Sequence, residues 1–147
     1  MLKAIGAGFV VLFGAMMGIR ASERLSKRYK KLFSFYLLSE EISERMQMGD
    51  ELFKIYSGEK ARGLLVVDGY TVTVLDDGLY KEDKELLCGF FERLGMYELE
   101  AAVKNCSVLS GLLLKKTNDA EVEMRSKSRL YSALGLFGGI FAALILI

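Results

Sequence analysis

Charge placement constrains this chain more than any average does: of 39 charged residues, only Lys3 lies outside the stretch from Arg20 to Arg129. The ends are otherwise uncharged, over sixteen residues from Ala4 to Ile19 and eighteen from Leu130 to Ile147. A helix rises about 1.5 Å per residue, so these runs reach about 24 and 27 Å, slightly short of a hydrocarbon core of about 30 Å. Both are predicted as membrane spans. The chain thus divides into a transmembrane helix at 1–19, a helical middle at 20–129 and a second transmembrane helix at 130–147.

Each span has a competitor. Lys3 followed by an apolar stretch and small residues resembles a signal peptide. Here, however, the stretch passes into Arg20, Arg24, Lys27, Arg28, Lys30 and Lys31 with only Glu23 opposing them, which is a cytoplasmic stop signal. A retained helix is the expectation. For the second run the competitor is a buried core helix, and an end reading Leu144-Ile145-Leu146-Ile147 favours a span. Basic residues flank the middle segment at both ends, with Arg125, Lys127 and Arg129 preceding the second span. The middle is therefore predicted cytoplasmic, with both chain ends on the far side, although Lys3 and the amino terminus pull weakly the other way.

Within the middle, Leu25, Tyr29, Leu32, Phe33 and Tyr36 recur at helical spacing and Met46 continues that face, predicting one amphipathic helix continuous with the first span. Gly49 ends it, and Asp50 offers an N-cap for a short helix carrying Leu52, Phe53, Ile55 and Tyr56. A third helix holds Leu86, Leu87, Phe90, Phe91 and Leu94, with Glu82, Asp83 and Glu85 near its start, and Gly95 stops it. The fourth begins near Tyr97. Leu99, Ala102, Cys106, Leu109, Leu113, Thr117, Ala120 and Met124 keep its period, and it should run unbroken into the second span for roughly fifty residues, or about 75 Å. An apolar stripe of that length has to pack on the other helices. The fold expected is all-α, an antiparallel helical bundle flanked by N- and C-terminal transmembrane helices.

One stretch resists the helical reading. From Leu64 to Leu75, two β-branched runs flank Asp68-Gly69, and local sequence favours a small hairpin over helix. Such a hairpin is marginal in water unless it packs on something.

Composition now removes whole classes of chemistry. The chain has no His, so an imidazole base, a His-containing metal site and a Ser-His or Cys-His arrangement are out of reach. Nothing near Gly58 or Gly63 supplies a phosphate-cradling loop, and the acid pairs at Glu40-Glu41, Asp76-Asp77 and Glu82-Asp83 read as solvated surface. In a reducing cytoplasm, Cys88 and Cys106 read as small buried hydrophobes; a thiol enzyme is the remote competitor. A net charge of +1 argues against nucleic acid as a partner. The chain is expected to have no catalytic, metal or cofactor site.

Two non-catalytic constellations remain. Gly14 and Gly18 form a GxxxG in one span, and Gly135 and Gly139 form another in the second, giving each helix a face where backbones can approach closely. Their simplest use is packing of the two helices on each other; the sharper one is oligomerisation. The basic residues Arg20, Arg24, Lys27, Arg28, Lys30, Lys31, Arg125, Lys127 and Arg129 form a membrane-facing cluster that acts as a topology signal alone or also as a surface for anionic headgroups.

The glycine-rich first span, the basic run, the helical middle and the terminal Tyr131–Ile147 resemble the stage III sporulation protein AB family. The likeness is closest there, at Leu134-Gly135 and Gly138-Gly139, and in the block Leu79–Glu100. The resemblance implies a cytosolic antiparallel helical bundle related to the inner-membrane platform protein of type II secretion and type IV pilus machines. It implies a non-enzymatic component of the mother cell–forespore channel, in the mother-cell membrane, with a secretion-type ATPase and other membrane proteins of the channel as partners. It further implies helix or loop at Leu64–Leu75. Tyr80 stands where the family commonly has a Ser/Thr helix cap. The alternative is a small oligomeric pore-forming or membrane-permeabilising protein using the glycine faces, against which neither span offers a polar stripe.

Overall fold

The computed structural model describes residues 1–69 and 71–147. In chain order it has α1 (Leu2–Gln47), α2 (Leu52–Tyr56), β1 (Leu65–Asp68), β2 (Thr71–Val74), α3 (Lys81–Leu94) and α4 (Leu99–Leu146). The two long helices are uninterrupted, as a chain without Pro permits. The chain folds as two compact units, one of residues 1–27 with 119–147 and one of residues 28–118. These divisions fall inside the charged middle and not at the charge boundaries after Ile19 and before Leu130.

In the first unit, α1 and α4 run antiparallel: Val11 lies against Gly139, Gly14 against Gly135, and Gly18 against Tyr131 and Ser132. Large apolar side chains elsewhere on these segments stay exposed, including Phe9, Phe13, Phe137 and Phe141. Only 11% of the most apolar window of each helix is buried, the opposite of the core helix of a globular domain.

The second unit holds the core. α1 contributes Leu32, Phe35, Leu38 and Ile42, α3 contributes Leu87, Phe91 and Leu94, and α4 contributes Ala102, Cys106, Leu109 and Leu113. Each set steps by three or four residues, one face of a helix. Phe91 is the hub of an aromatic cluster, with ring centroids 6.2 Å from Phe35, 6.0 Å from Tyr56 and 5.1 Å from Phe90. On α1 the buried stripe is rotated from the one expected. Phe33 remains 41% exposed and lies between Tyr29 and Tyr36 in an outward aromatic row, while Phe35 and Leu38 point inward.

α1 ends as Gly49 takes φ +91°, with the Asp50 N–H donating to the Arg45 carbonyl at 3.0 Å and the Gly49 N–H to that of Met46 at 3.1 Å. This left-handed termination is available to Gly at no steric cost. Asp50 does not cap α2, whose N-cap residue is Glu51; the Asp50 carboxylate instead accepts from Arg45 Nε at 2.8 Å.

Leu64–Leu75 corrects what the family resemblance implied. β1 and β2 pair antiparallel from Leu65↔Val74 to Asp68↔Thr71, and Gly69 opens the connection at φ +60°. The hairpin is stable because it is anchored: Leu64, Leu65 and Val74 are buried, and β2 lies against α3. The remainder of the fold is helical, as the charge and apolar periodicities predict.

Candidate functional site

Two arrangements organise the described residues, one in each unit. In the first, glycines bring backbone against backbone. A Cβ on Gly14 would collide with the Gly135 carbonyl, and one on Gly135 with the Gly14 carbonyl. One on Gly18 would stand 2.6 Å from the Tyr131 carbonyl oxygen, and one on Gly139 would stand 2.9 Å from Val11 Cα. No side chain fits at any of the four, so the two GxxxG faces occupy each other. One turn on, the Ser22 hydroxyl lies 3.1 Å from the Gly18 carbonyl, 3.3 Å from the Ser128 carbonyl of the facing helix and 3.5 Å from Ser132 Oγ. The close approach of the backbones continues as a polar contact where the chain gains charge.

The second arrangement is a buried ionic cluster that the sequence reading missed. Asp83 is 1% exposed at the third position of α3. Arg28 Nε donates to its Oδ2 at 2.8 Å and Arg28 Nη2 to its Oδ1 at 3.2 Å, a two-point contact that a guanidinium is shaped to make. Lys116 Nζ donates to Oδ1 at 3.1 Å, and the Tyr80 backbone N–H reaches Oδ2 at 3.3 Å. The Arg28 guanidinium carbon also sits 4.0 Å from the centroid of the Tyr80 ring, a cation–π contact. Asp83 thus receives two donors from α1, one from α4 and one from the start of its own helix. Burial works to raise its pKa, but the hydrogen bonds from Arg28 and Lys116, the Arg28 charge and the Tyr80 N–H outweigh it and hold the carboxyl below its ordinary range. Tyr80 does not leave the α3 terminus bare, because the Asp83 side chain accepts the N-cap backbone N–H.

This cluster corrects one member of the expected basic face. Arg28 is 8% exposed and spent on Asp83, so it is not available at a membrane surface. A charge left alone at that depth would be costly, which is why the helix rotation that buries it also brings an acid to meet it. Arg28, Lys30 and Lys31 belong to the second unit, where Lys31 donates to the Gly63 carbonyl at 3.2 Å. Arg20, Arg24, Lys27, Arg125, Lys127 and Arg129 belong to the first and are exposed. Arg125 pairs with Glu121 at 2.6 Å and Lys127 with Glu123 at 3.0 Å.

A further polar pair lies in the second unit. Ser39 Oγ donates to the Tyr36 carbonyl at 2.7 Å, which leaves Ser110 Oγ to donate to Ser39 Oγ across α1 and α4, also at 2.7 Å. The thiols are separate: Cys88 is half-buried and Cys106 buried, and burial pushes the Cys106 thiol up to about 11, so it is protonated near neutrality.

Residues 73–147, just over half of the chain, match the family model for stage III sporulation protein AB, from within β2 through α3 and α4 to the last residue. No curated protein and no solved structure matches. The matched stretch carries Asp83 and Lys116 of the ionic cluster and both glycines of the α4 face. The chain belongs to the stage III sporulation protein AB family and has a role in stage III of sporulation.

Proposed function

We propose that the chain is a membrane-anchored structural component of the mother cell–forespore channel, a scaffold without catalysis that presents its 28–118 unit in the mother-cell cytoplasm. The observation that carries this reading is the mutual packing of Gly14 and Gly18 with Gly135 and Gly139 between helices whose remaining surface is apolar and exposed. In water that exposed surface would drive aggregation; in lipid it is the solvated face, and close backbone contact holds the pair together. The basic residues at Arg20, Arg24 and Lys27 and at Arg125, Lys127 and Arg129 orient both spans with the middle inside. Partners on this reading are a secretion-type ATPase and other membrane proteins of the channel.

Deleting the gene in a spore-forming host should arrest the forespore after engulfment, with rescue by the full chain; normal spore yield in the deletion strain overturns the reading. Topology is tested in the same cells. A Met96→Cys variant, at an exposed position of the 28–118 unit, should resist an impermeant maleimide applied from outside, while an Ile147→Cys variant should react. Outside labelling of the first would remove the cytoplasmic assignment, and the ATPase with it.

A further inference from the structure

Beyond the glycine contact, an open groove of about 890 Å³ lies between α1 and α4, within the first unit. It begins at Ile19, the last residue of the uncharged run, and Ser26, Ser128, Glu23, Arg125 and Arg129 line it further on. It therefore stands where the apolar part of both helices gives way to the charged part. Its donors differ in how far they are already used. Arg125 is held by Glu121 and the Ser22 hydroxyl by backbone carbonyls. Among the described residues, Arg129 has no carboxylate within ion-pair distance, and the Ser26 and Ser128 hydroxyls make no hydrogen bond. Nor do Arg20, Arg24 and Lys27, on the same stretch of α1, have an acid partner. Among the described residues, Glu23 is the single carboxylate lining the groove.

We infer that this groove seats the headgroup of an anionic phospholipid bearing free hydroxyls, of the phosphatidylglycerol type. The phosphodiester meets the Arg129 guanidinium and the hydroxyls of Ser26 and Ser128; the glycerol hydroxyls donate to the Glu23 carboxylate. The acyl chains continue along the exposed apolar surface that starts at Ile19. Arg129, the unpaired cation in the lining, favours a net negative headgroup over a zwitterion in the groove, while Arg20, Arg24 and Lys27 lie outside the lining and act on the bilayer surface around it. A polar cleft opening at this depth is also where a phosphate stays hydrated at its rim while its chains remain in hydrocarbon.

The inference rests on the spanning reading of α1 and α4, and its test separates the two. The full chain is reconstituted into vesicles of equal parts phosphatidylglycerol and phosphatidylcholine, washed with alkaline carbonate, then extracted in mild detergent for native mass spectrometry of retained lipid. Retained phosphatidylglycerol should exceed phosphatidylcholine by about fivefold, the preference expected from one unpaired basic residue at an anionic surface. Arg129→Gln should abolish the preference and Ser26→Ala with Ser128→Ala should reduce it. Lys115→Gln, the same charge loss outside the groove, should leave it intact. Equal retention of the two lipids, or equal loss in the Arg129 and Lys115 variants, overturns the groove while the chain stays inserted. Equal retention of phosphatidylethanolamine in a parallel mixture, or displacement of the lipid by soluble glycerophosphate, overturns it as well. Chain lost to the carbonate wash overturns the spanning reading and this one together.

Discussion

Arg28 and Asp83 meet edge to edge, two nitrogens of one against two oxygens of the other at 2.8 and 3.2 Å, fifty-five residues apart in sequence and buried. A pair like this contributes little net stability, because desolvating both charges offsets most of their attraction, but losing one partner strands the other. Asp83→Asn should therefore destabilise the 28–118 unit by about 3–5 kcal/mol, measured by urea denaturation of the full chain in micelles. Arg28→Met combined with Asp83→Leu should recover most of that loss, as an apolar pair of similar volume carries no buried charge and the half-buried Lys116 can turn its ammonium to water. A double variant no more stable than Asp83→Asn would show that the pair holds the unit together energetically, beyond fixing the register of α1 and α3.

The same carboxyl sets a pH dependence. Asp83 is held below its ordinary value of 3.8, so the unfolded chain binds this proton more readily than the folded one. Its contribution is fully present above the unfolded value and is lost as pH falls through the depressed folded value. The urea midpoint should drop as pH falls below 3.8 and through the depressed folded value, and Asp83→Asn should flatten that slope relative to the parent. Unchanged slopes in parent and variant would mean that other carboxylates govern acid unfolding.

Why this cluster was missed, while the long apolar helices were legible, has a physical basis. A run of sixteen or eighteen uncharged residues constrains its environment by itself, and periodicity without Pro constrains a helix by itself. Local patterning also identified the hairpin, which only the family resemblance argued away. Asp83, next to Glu82, reads as a surface acid because charge is judged locally. Yet it stands four residues before Leu87, as Arg28 stands four before Leu32, and Lys116 falls three after Leu113. A cation or acid on the apolar face of its own helix has to find an opposite charge on another, and that signal was present. The rotation of the α1 stripe from Phe33 to Phe35 could not be seen the same way. Both faces are aromatic, and only the identity of the packing helices decides between them.

Two buried hydroxyls point to substitutions that improve the fold. Among the described residues, Tyr56 Oη and Thr117 Oγ1 have no hydrogen-bond partner, although both side chains are buried. Burial also raises the Tyr56 phenol, with the neighbouring Cys106 adding to the shift, so it stays protonated. Each lost its bonds to water on folding without replacing them, at a cost of about 1–3 kcal/mol. Thr117→Val and Tyr56→Phe keep the shape and remove the orphan, and each should raise the urea midpoint, together by more than either alone. A drop in midpoint for Thr117→Val would indicate that its hydroxyl is bonded in solution.

The span contact gives the sharpest test of geometry. Ser22 Oγ and Ser132 Oγ are 3.5 Å apart, so Ser22→Cys with Ser132→Cys, in a chain whose Cys88 and Cys106 are replaced by Ala, should cross-link under mild oxidation. Adding Gly18→Leu should abolish the cross-link, since even a Cβ there would stand 2.6 Å from the Tyr131 carbonyl and would force the helices apart. Gly138→Leu serves as the control: a Cβ at Gly138 has nothing within 4 Å, and the cross-link should form as in the parent. Intermolecular cross-links surviving Gly18→Leu would instead assign the small-residue faces to contact between copies of the chain. That result would favour an oligomeric pore over a single anchored scaffold, which makes this the measurement that also separates the two functional readings.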